Sequence, residues 1–306
     1  MSVLLLVLGF VLLVKGADWF VDGGAKLAGR FGIPQLVIGL TVVAMGTSIP
    51  EAAVSISAAL KGNAGITVGN IVGSNILNIL IILGIVGVMT PLKIQHSTLK
   101  YEIPFLLFIT AVFFVTGMTN SVISRGEALL YLVLFLLYLL YLLKLSSGGS
   151  SQENADYETK GSVPGFLAKI VIGLALVVAG SDFVVDGASD IAKWLGMSER
   201  MIGLTVVAFG TSLPELVTSV AAARKKNADI AIGNIVGSNI FNILFVGGMS
   251  ALICPVPFER KFLLDTVIAF GSAVILWAGS IRKQELRRPC AILMLISYAA
   301  YFAAGI

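Results

Sequence analysis

Ten stretches of this sequence are apolar over the length that a helix needs to cross a lipid bilayer. A bilayer core is about 30 Å thick, and about 20 consecutive apolar residues span it as an α-helix. Only 12% of the residues are charged, which is about half the share found in soluble proteins. This composition excludes a water-soluble enzyme and predicts an all-α integral membrane protein with ten transmembrane helices. The predicted spans are 2–25, 34–60, 66–90, 101–119, 126–144, 163–190, 199–223, 229–253, 262–281 and 288–305.

The sequence contains an internal duplication. Residues 37–84 match residues 201–248 at most positions without a gap, at an offset of 164 residues. The only long polar segment, 146–162, is rich in Gly and Ser and is typical of a flexible linker. It separates a first half, 1–145, from a second half, 163–306, each with five predicted helices. Because five is odd, the second half must be inverted in the membrane relative to the first, as in many secondary transporters.

The distribution of positive charge predicts the orientation of the chain. Most of the 21 Lys and Arg residues fall in the loops after the first, third, fifth, seventh and ninth spans. Such loops are cytoplasmic in most membrane proteins. The linker 146–162 is therefore predicted to be cytoplasmic, with both termini outside a plasma or inner membrane. The net charge of +4 is too small to indicate a nucleic-acid partner.

Two acidic residues stand out near the middle of predicted spans, at equivalent positions of the duplication. Glu51 and Glu215 each follow a Gly-Thr-Ser-x-Pro run. A carboxylate within a bilayer is costly and is usually functional. Pro50 and Pro214 lack an N–H group, so each is expected to kink its helix and to free carbonyl groups of the preceding turn. Those carbonyls need a partner within the membrane, and a bound cation would supply one.

The polar atoms expected around these glutamates are oxygens and amides. Ala44, Thr47, Ser48 and Glu51 have the spacing of one helix face, and Ser74 lies four residues before Asn78 in the following span. The second half repeats this pattern at Ala208, Thr211, Ser212, Glu215, Ser238 and Asn242. No His or Cys belongs to the set, which argues against zinc, copper and iron. Calcium takes six to eight oxygen ligands, and two glutamates would neutralise its charge. Sodium could use hydroxyl and carbonyl oxygens of the same clusters.

Several polar residues have simpler explanations. The serines and asparagines could form purely structural hydrogen bonds between helices. The aspartates on the first and sixth spans, Asp18, Asp22, Asp182 and Asp186, are interpreted as ends of tilted spans. His96 is expected in a loop, and Cys254 and Cys290 form no motif.

The duplicated motif resembles that of a known family. The two Gly-Thr-Ser-x-Pro-Glu runs, each followed by Gly-Asn-x-x-Gly-Ser-Asn-x-x-Asn, are similar to the paired alpha-repeats of the calcium:cation antiporter superfamily. Within that superfamily the chain resembles prokaryotic sodium/calcium exchangers over nearly its whole length. The resemblance implies alternating access, in which one Ca²⁺ moves against several Na⁺, with the first and sixth helices sliding as a gate.

The resemblance also implies roles for individual residues. Glu51 and Glu215 would bind calcium together with the carbonyls of Thr47 and Thr211. Sodium would use the same glutamates, and Asn78 and Asn242 would line the centre. The further sodium ligands would be Ser48, Ser74, Ser212, Ser238 and the carbonyls of Ala44 and Ala208.

Two differences from other family members limit the expected transport and regulation. Asparagine at both 78 and 242 argues against potassium cotransport, since some members carry an acid there. The short linker leaves no room for the regulatory calcium-binding domain of large eukaryotic relatives.

The predicted activity is electrogenic Na⁺/Ca²⁺ antiport, in which net charge crosses the membrane. No enzymatic activity, cofactor or protein partner is expected. Two alternatives stay open. One is H⁺/Ca²⁺ exchange on the same fold, because buried glutamates can take up protons. The other is a passive cation channel, which the paired central carboxylates make less attractive.

Overall fold

The computed structural model describes residues 2–62, 64–147, 161–196 and 208–304. This part of the chain is helical apart from four two-residue strands. In chain order the helices are α1 (Ser2–Phe31), α2 (Gln35–Thr47), α3 (Ile49–Leu60), α4 (Ile66–Met89), α5 (Thr98–Glu102 continued by Ile103–Asn120), α6 (Arg125–Ser147), α7 (Val163–Trp194), α8 (Ala208–Thr211), α9 (Leu213–Arg224), α10 (Ala228–Ile253), α11 (Lys261–Ile281) and α12 (Arg288–Ala303).

The prediction of an all-α membrane protein is confirmed. Among the described residues, 7 helices are long and apolar enough to cross a bilayer, or 8 if the bent pair α2 and α3 is one span. The helix α12 is apolar but shorter. The predicted span 199–223 lies partly outside the described residues, so the expected total of ten stays a prediction.

The second predicted span is broken within the duplicated motif. The axes of α2 and α3 differ by 49°, and the break falls at Ser48, whose φ of −87° and ψ of 12° leave the helical region. Pro50 follows two residues later, at the start of α3, where a helix needs no N–H donor. Ser212 separates α8 from α9 in the same way, with φ of −90° and ψ of 3°.

The chain divides into two compact units, and each takes segments from both halves of the sequence. The first unit comprises Met1–Pro50 and Leu145–Asn234. Its core forms where α1 packs along α7, with buried side chains such as Leu13, Phe20 and Val177. The two helices approach closely because glycines face each other along the seam. A Cβ atom added to Gly16 would lie 2.7 Å from the carbonyl oxygen of Gly173.

The second unit comprises Glu51–Lys144 and Ile235–Ile306. Aromatic side chains fill part of its core, and the rings of Phe241 and Phe245 stack at 4.8 Å. The four strands lie here and pair reciprocally. The strand β1 (Leu92–Lys93) pairs with β4 (Glu285–Leu286), and β2 (Val122–Ile123) pairs with β3 (Val256–Pro257), both antiparallel.

Candidate ion-binding site

In the first unit, a carboxylate is buried at the start of α9. Glu215 is 0% exposed, and its Oε1 atom accepts a hydrogen bond of 2.7 Å from the hydroxyl of Ser48. Ser48 is the residue at which α2 and α3 separate, so the break in the helix places its hydroxyl beside the carboxylate. The sequence motif therefore supplies an acid and a hydroxyl that meet across two different helices.

One asparagine fixes the backbone around this carboxylate. The amide of Asn234 donates to the carbonyl oxygen of Glu215 at 3.2 Å and to the hydroxyl of Ser219 at 2.9 Å. Its Oδ1 atom accepts a hydrogen bond of 3.0 Å from Thr47. Because all these groups are buried, each bond is stronger than it would be in water. Asn234 therefore ties α2 and α9 to the start of α10.

The second unit repeats this arrangement around the other glutamate. Glu51 is 1% exposed, and the Ser74 hydroxyl lies 3.5 Å from its Oε1 atom. The amide of Asn70 donates to the carbonyl oxygen of Glu51 at 3.1 Å and to the Ser55 hydroxyl at 2.8 Å. These contacts match those of Asn234 at the equivalent positions, so the duplicated sequence forms duplicated local structure.

Four asparagines join α4 to α10 within the second unit. The amides of Asn75 and Asn239 each donate to the other's carbonyl oxygen at 3.2 Å. Asn78 donates to the Oδ1 atom of Asn239 at 2.9 Å, and Asn242 donates to that of Asn75 at 3.2 Å. The Oδ1 atoms of Asn78 and Asn242 have no hydrogen-bond partner among the described residues. Two buried amide oxygens are thus available to a ligand.

The helices change geometry at this asparagine cluster. A π-helical segment begins at Leu77 in α4, and another begins at Asn242 in α10. A third, Gly39–Val43, precedes the Gly-Thr-Ser run of α2. Such turns are frequent at functional sites, because they disturb the regular backbone hydrogen bonds of a helix.

The chemistry of these groups suits a hard cation. The side chains that surround the two glutamates offer carboxylate, hydroxyl and amide oxygens, which calcium and other hard cations prefer. Among the described residues, no group of three or more His, Cys, Asp or Glu side chains converges.

Comparison with known proteins identifies the family. The family model described as "Sodium/calcium exchanger protein" matches residues 1–144 and 166–305. The chain belongs to this family, within the calcium:cation antiporters. It is similar to a sodium/calcium exchanger of Methanosarcina acetivorans, with 33% identity over 97% of this chain and 96% of the relative. It is also similar to an inner membrane protein of Escherichia coli, with 36% identity over 90% of this chain and 89% of the relative.

A solved structure of an exchanger has the same fold. The chain superposes on the sodium-calcium exchanger NCX_Mj, soaked with 10 mM Na⁺ and zero Ca²⁺, with a TM-score of 0.87 and 34% sequence identity. The superposition covers 99% of this chain and 98% of that protein. The likeness extends over the complete fold and is not restricted to the duplicated motif.

Within this exchanger fold, the residues predicted as ligands occupy different local settings. Ser238 is buried within α10, Ser212 lies between α8 and α9, and Thr211 ends α8. The carbonyl oxygen of Ala44 accepts bonds from the N–H group of Ser48 at 3.1 Å and from the hydroxyl of Thr47 at 3.3 Å. Ala208 is the first residue of α8.

The residues that support the glutamates were not assigned roles from the sequence. They are Asn70, Asn234, Ser55 and Ser219. The central asparagines Asn75 and Asn239 were not assigned roles either. Each pair recurs at the offset of the duplication, and that recurrence was the signal available.

The aspartates of α1 form ion pairs with lysines. Asp22 forms ion pairs with Lys26 and Lys169, and Asp18 lies 3.4 Å from Lys225.

Proposed function

We propose that this family member exchanges Na⁺ for Ca²⁺ across the membrane by alternating access, with net movement of charge. The observation that carries the proposal is the pair of buried carboxylates, each beside a serine hydroxyl: Glu215 with Ser48, and Glu51 with Ser74. A buried anion surrounded by oxygen ligands is unstable in a bilayer unless a cation or a proton accompanies it. A bound cation would therefore offset the energetic cost of burying each glutamate.

The proposed ligands divide between the two ions. Ca²⁺ binds to Glu51 and Glu215, with the carbonyls of Thr47 and Thr211, because its charge requires both carboxylates. Na⁺ carries one charge and is served by hydroxyl and carbonyl oxygens together with the same glutamates. Asn78 and Asn242 line the centre, and Pro50 and Pro214 maintain the helix breaks. The Na⁺ ligands are Ala44, Ser48, Ser74, Ala208, Ser212 and Ser238. Since the ions share the glutamates, they compete, and competition is what exchange requires.

The proposal includes ten transmembrane helices in two inverted repeats of five, 1–145 and 163–306, joined by a cytoplasmic linker, 146–162. The reciprocal pairing of β1 with β4 and of β2 with β3 supports two halves related by a two-fold operation. The reciprocal hydrogen bonds of Asn75 and Asn239 support it as well. The expected location is the plasma or inner membrane, with both termini outside.

Uptake of ⁴⁵Ca²⁺ into proteoliposomes tests the coupling ion. Vesicles loaded with Na⁺ and diluted into Na⁺-free buffer are expected to accumulate calcium, and vesicles loaded with choline are not. If net positive charge leaves the vesicle with Na⁺, an imposed inside-positive potential should speed calcium uptake. An inside-negative potential should slow it. Uptake that follows an imposed pH gradient and ignores Na⁺ would favour H⁺/Ca²⁺ exchange and contradict the proposal.

Substitution of each glutamate tests the assigned residues. Glu51→Gln and Glu215→Gln keep the side-chain shape and remove the charge, so each variant should lose Na⁺-driven Ca²⁺ uptake. Glu259→Gln is the matched control, because Glu259 is exposed and pairs with Lys261 at the surface. It should transport like the natural protein. Full calcium binding by both glutamine variants would refute their role as ligands.

A further inference from the structure

A third buried acid lies away from the duplicated motif, in the second unit. Glu102 is in the first, π-helical turn of α5 and is 1% exposed. The hydroxyl of Tyr141 on α6 donates a hydrogen bond to its Oε1 atom. Its Oε2 atom is buried without a hydrogen-bond partner among the described residues, and so is the hydroxyl of Tyr138. Such groups are costly to bury unless a ligand completes their bonds.

The residues that carry these oxygens line a cavity of about 330 Å³. It lies between the first turns of α5 and the second half of α6. The Lys100 side chain belongs to its lining, with the Nζ atom 5.3 Å from the centre of the Tyr101 ring. A water molecule occupies about 30 Å³ in the liquid, so the cavity has room for roughly ten heavy atoms. The lining residues are Lys100, Tyr101, Glu102, Phe105, Leu134, Leu137, Tyr138 and Tyr141.

The position within the helices indicates what could enter. The cavity is at helix ends, where tyrosines gather at the level of lipid headgroups. Leu137 and Tyr101 are exposed, so the cavity is open at an apolar rim, and Glu102 and Lys100 are the charged residues of its lining. The acid and the lysine offer opposite charges to one ligand. That pattern is complementary to a zwitterion with a primary ammonium group at one end and a phosphate at the other.

We propose that this cavity binds the headgroup of a phosphatidylethanolamine lipid. The ammonium group donates hydrogen bonds to the Oε2 atom of Glu102 and to the hydroxyl of Tyr138, and the phosphate pairs with Lys100. The aromatic faces of Phe105 and Tyr138, whose rings stack at 5.6 Å, add attraction for the ammonium charge. The acyl chains then lie along the exposed apolar surface of α6.

A structural hydrogen bond alone would look different. Asp265 on α11 accepts a bond of 3.0 Å from Tyr301 on α12, which is the same kind of acid–tyrosine link between consecutive helices. Asp265 is only partly buried, and its carboxylate oxygens are not among the unpartnered buried atoms. The link between helices therefore does not explain the second oxygen of Glu102 or the hydroxyl of Tyr138.

Native mass spectrometry of the full-length protein tests the proposal, with dioleoyl phosphatidylethanolamine and dioleoyl phosphatidylcholine as competing probes. The trimethylammonium of phosphatidylcholine has no N–H donor, so the natural protein should retain phosphatidylethanolamine about tenfold better, as expected for hydrogen bonds to a charged group. Glu102→Gln should remove that preference, and Asp265→Asn should keep it. Lys100→Ala should weaken retention of both lipids by about fivefold, because both carry the phosphate.

Three results would overturn the proposal. The first is equal retention of the two lipids by the natural protein. The second is an unchanged preference in Glu102→Gln, or in Tyr138→Phe should the first variant not fold; Tyr138→Phe removes one oxygen and keeps the ring. The third is binding of free ethanolamine as tightly as the lipid, which would identify a soluble amine as the ligand.

Discussion

At the scale of single residues, Ser181 supplies a hydrogen bond that Pro214 cannot. In a continuous helix the N–H group of residue 214 would bond the carbonyl of Gly210, and proline has no such group. The hydroxyl of Ser181, on α7, donates to that carbonyl at 2.7 Å, and Ser181 is buried. The sequence suggested a cation as the partner of these carbonyls; at Gly210 a side chain from another helix takes that place. The equivalent residue of the first half is Ala17, so the two halves differ here.

Ser181→Ala should therefore lower the free energy of unfolding by about 1–3 kcal/mol, because it leaves a buried carbonyl without its partner. Ser181→Thr retains the hydroxyl and should recover part of the loss. The control is Ser297→Ala, which removes an exposed hydroxyl bonded within its own helix. Unfolding of the purified protein in detergent measures all three. Equal stability of the natural protein and Ser181→Ala would contradict the role given to this bond.

Sequence reasoning singled out the two buried glutamates and missed the residues that hydrogen-bond around them. Glu51 and Glu215 stand out because a charged residue within an apolar run is conspicuous. The partners of Asn70 and Asn234 depend on which helices meet, and hydropathy does not contain that information. Glu102 was overlooked for a related reason: it begins a span, where charged residues are common, and only the fold buries it.

At the scale of helices, the glycines between α1 and α7 determine how closely the two can pack. A Cβ atom on Gly16 would meet backbone of α7, with the N atom of Val177 at 2.8 Å, and neither backbone can yield without moving the helix. Gly9 and Gly180 face each other with the same closeness. Small residues at such a seam allow helices to associate in a membrane.

Gly16→Ala should destabilise the protein by about 1–3 kcal/mol, the usual cost of overpacking. Gly271→Ala is the matched control: Gly271 lies inside α11 with no atom within 4 Å of an added Cβ, so alanine should be neutral or stabilise the helix by about 1 kcal/mol. Thermal unfolding in detergent compares the two variants. A Gly16→Ala protein as stable as Gly271→Ala would show that the seam tolerates a wider spacing.

Hydropathy predicted the approximate positions of the long described helices, but it did not predict their exact ends or their π-helical turns. The predicted first span, 2–25, is shorter than α1, which continues to Phe31. The continuation contains Lys26, which pairs with Asp22, and hydropathy counts both charges against a helix although their pairing offsets the cost. The π-helical turns that begin at Leu77 and Asn242 have no sequence signal comparable to proline.

At the scale of the whole molecule, the compact units do not follow the sequence halves. Each unit combines part of 1–145 with part of 163–306. Duplication is visible in the sequence, but the pairing of segments such as β1 with β4 is a long-range contact that a repeat by itself does not specify. The linker thus separates the two copies of the duplicated sequence, whereas the compact units reflect which helices pack together.

The proposed five spans per half predict on which side of the membrane the linker and the carboxyl-terminal end lie. If five spans separate the linker from the carboxyl-terminal end, a residue in the linker and a residue near that end must lie on opposite sides of the membrane. In a chain whose natural Cys254 and Cys290 are replaced by alanine, we expect Ala304→Cys to react with a membrane-impermeant maleimide on intact cells. Ser150→Cys should react only after the cells are permeabilised, because the positive charge of the flanking loops predicts a cytoplasmic linker. The reversed pattern would refute the orientation, and labelling of both from outside would refute an odd number of spans in the second half.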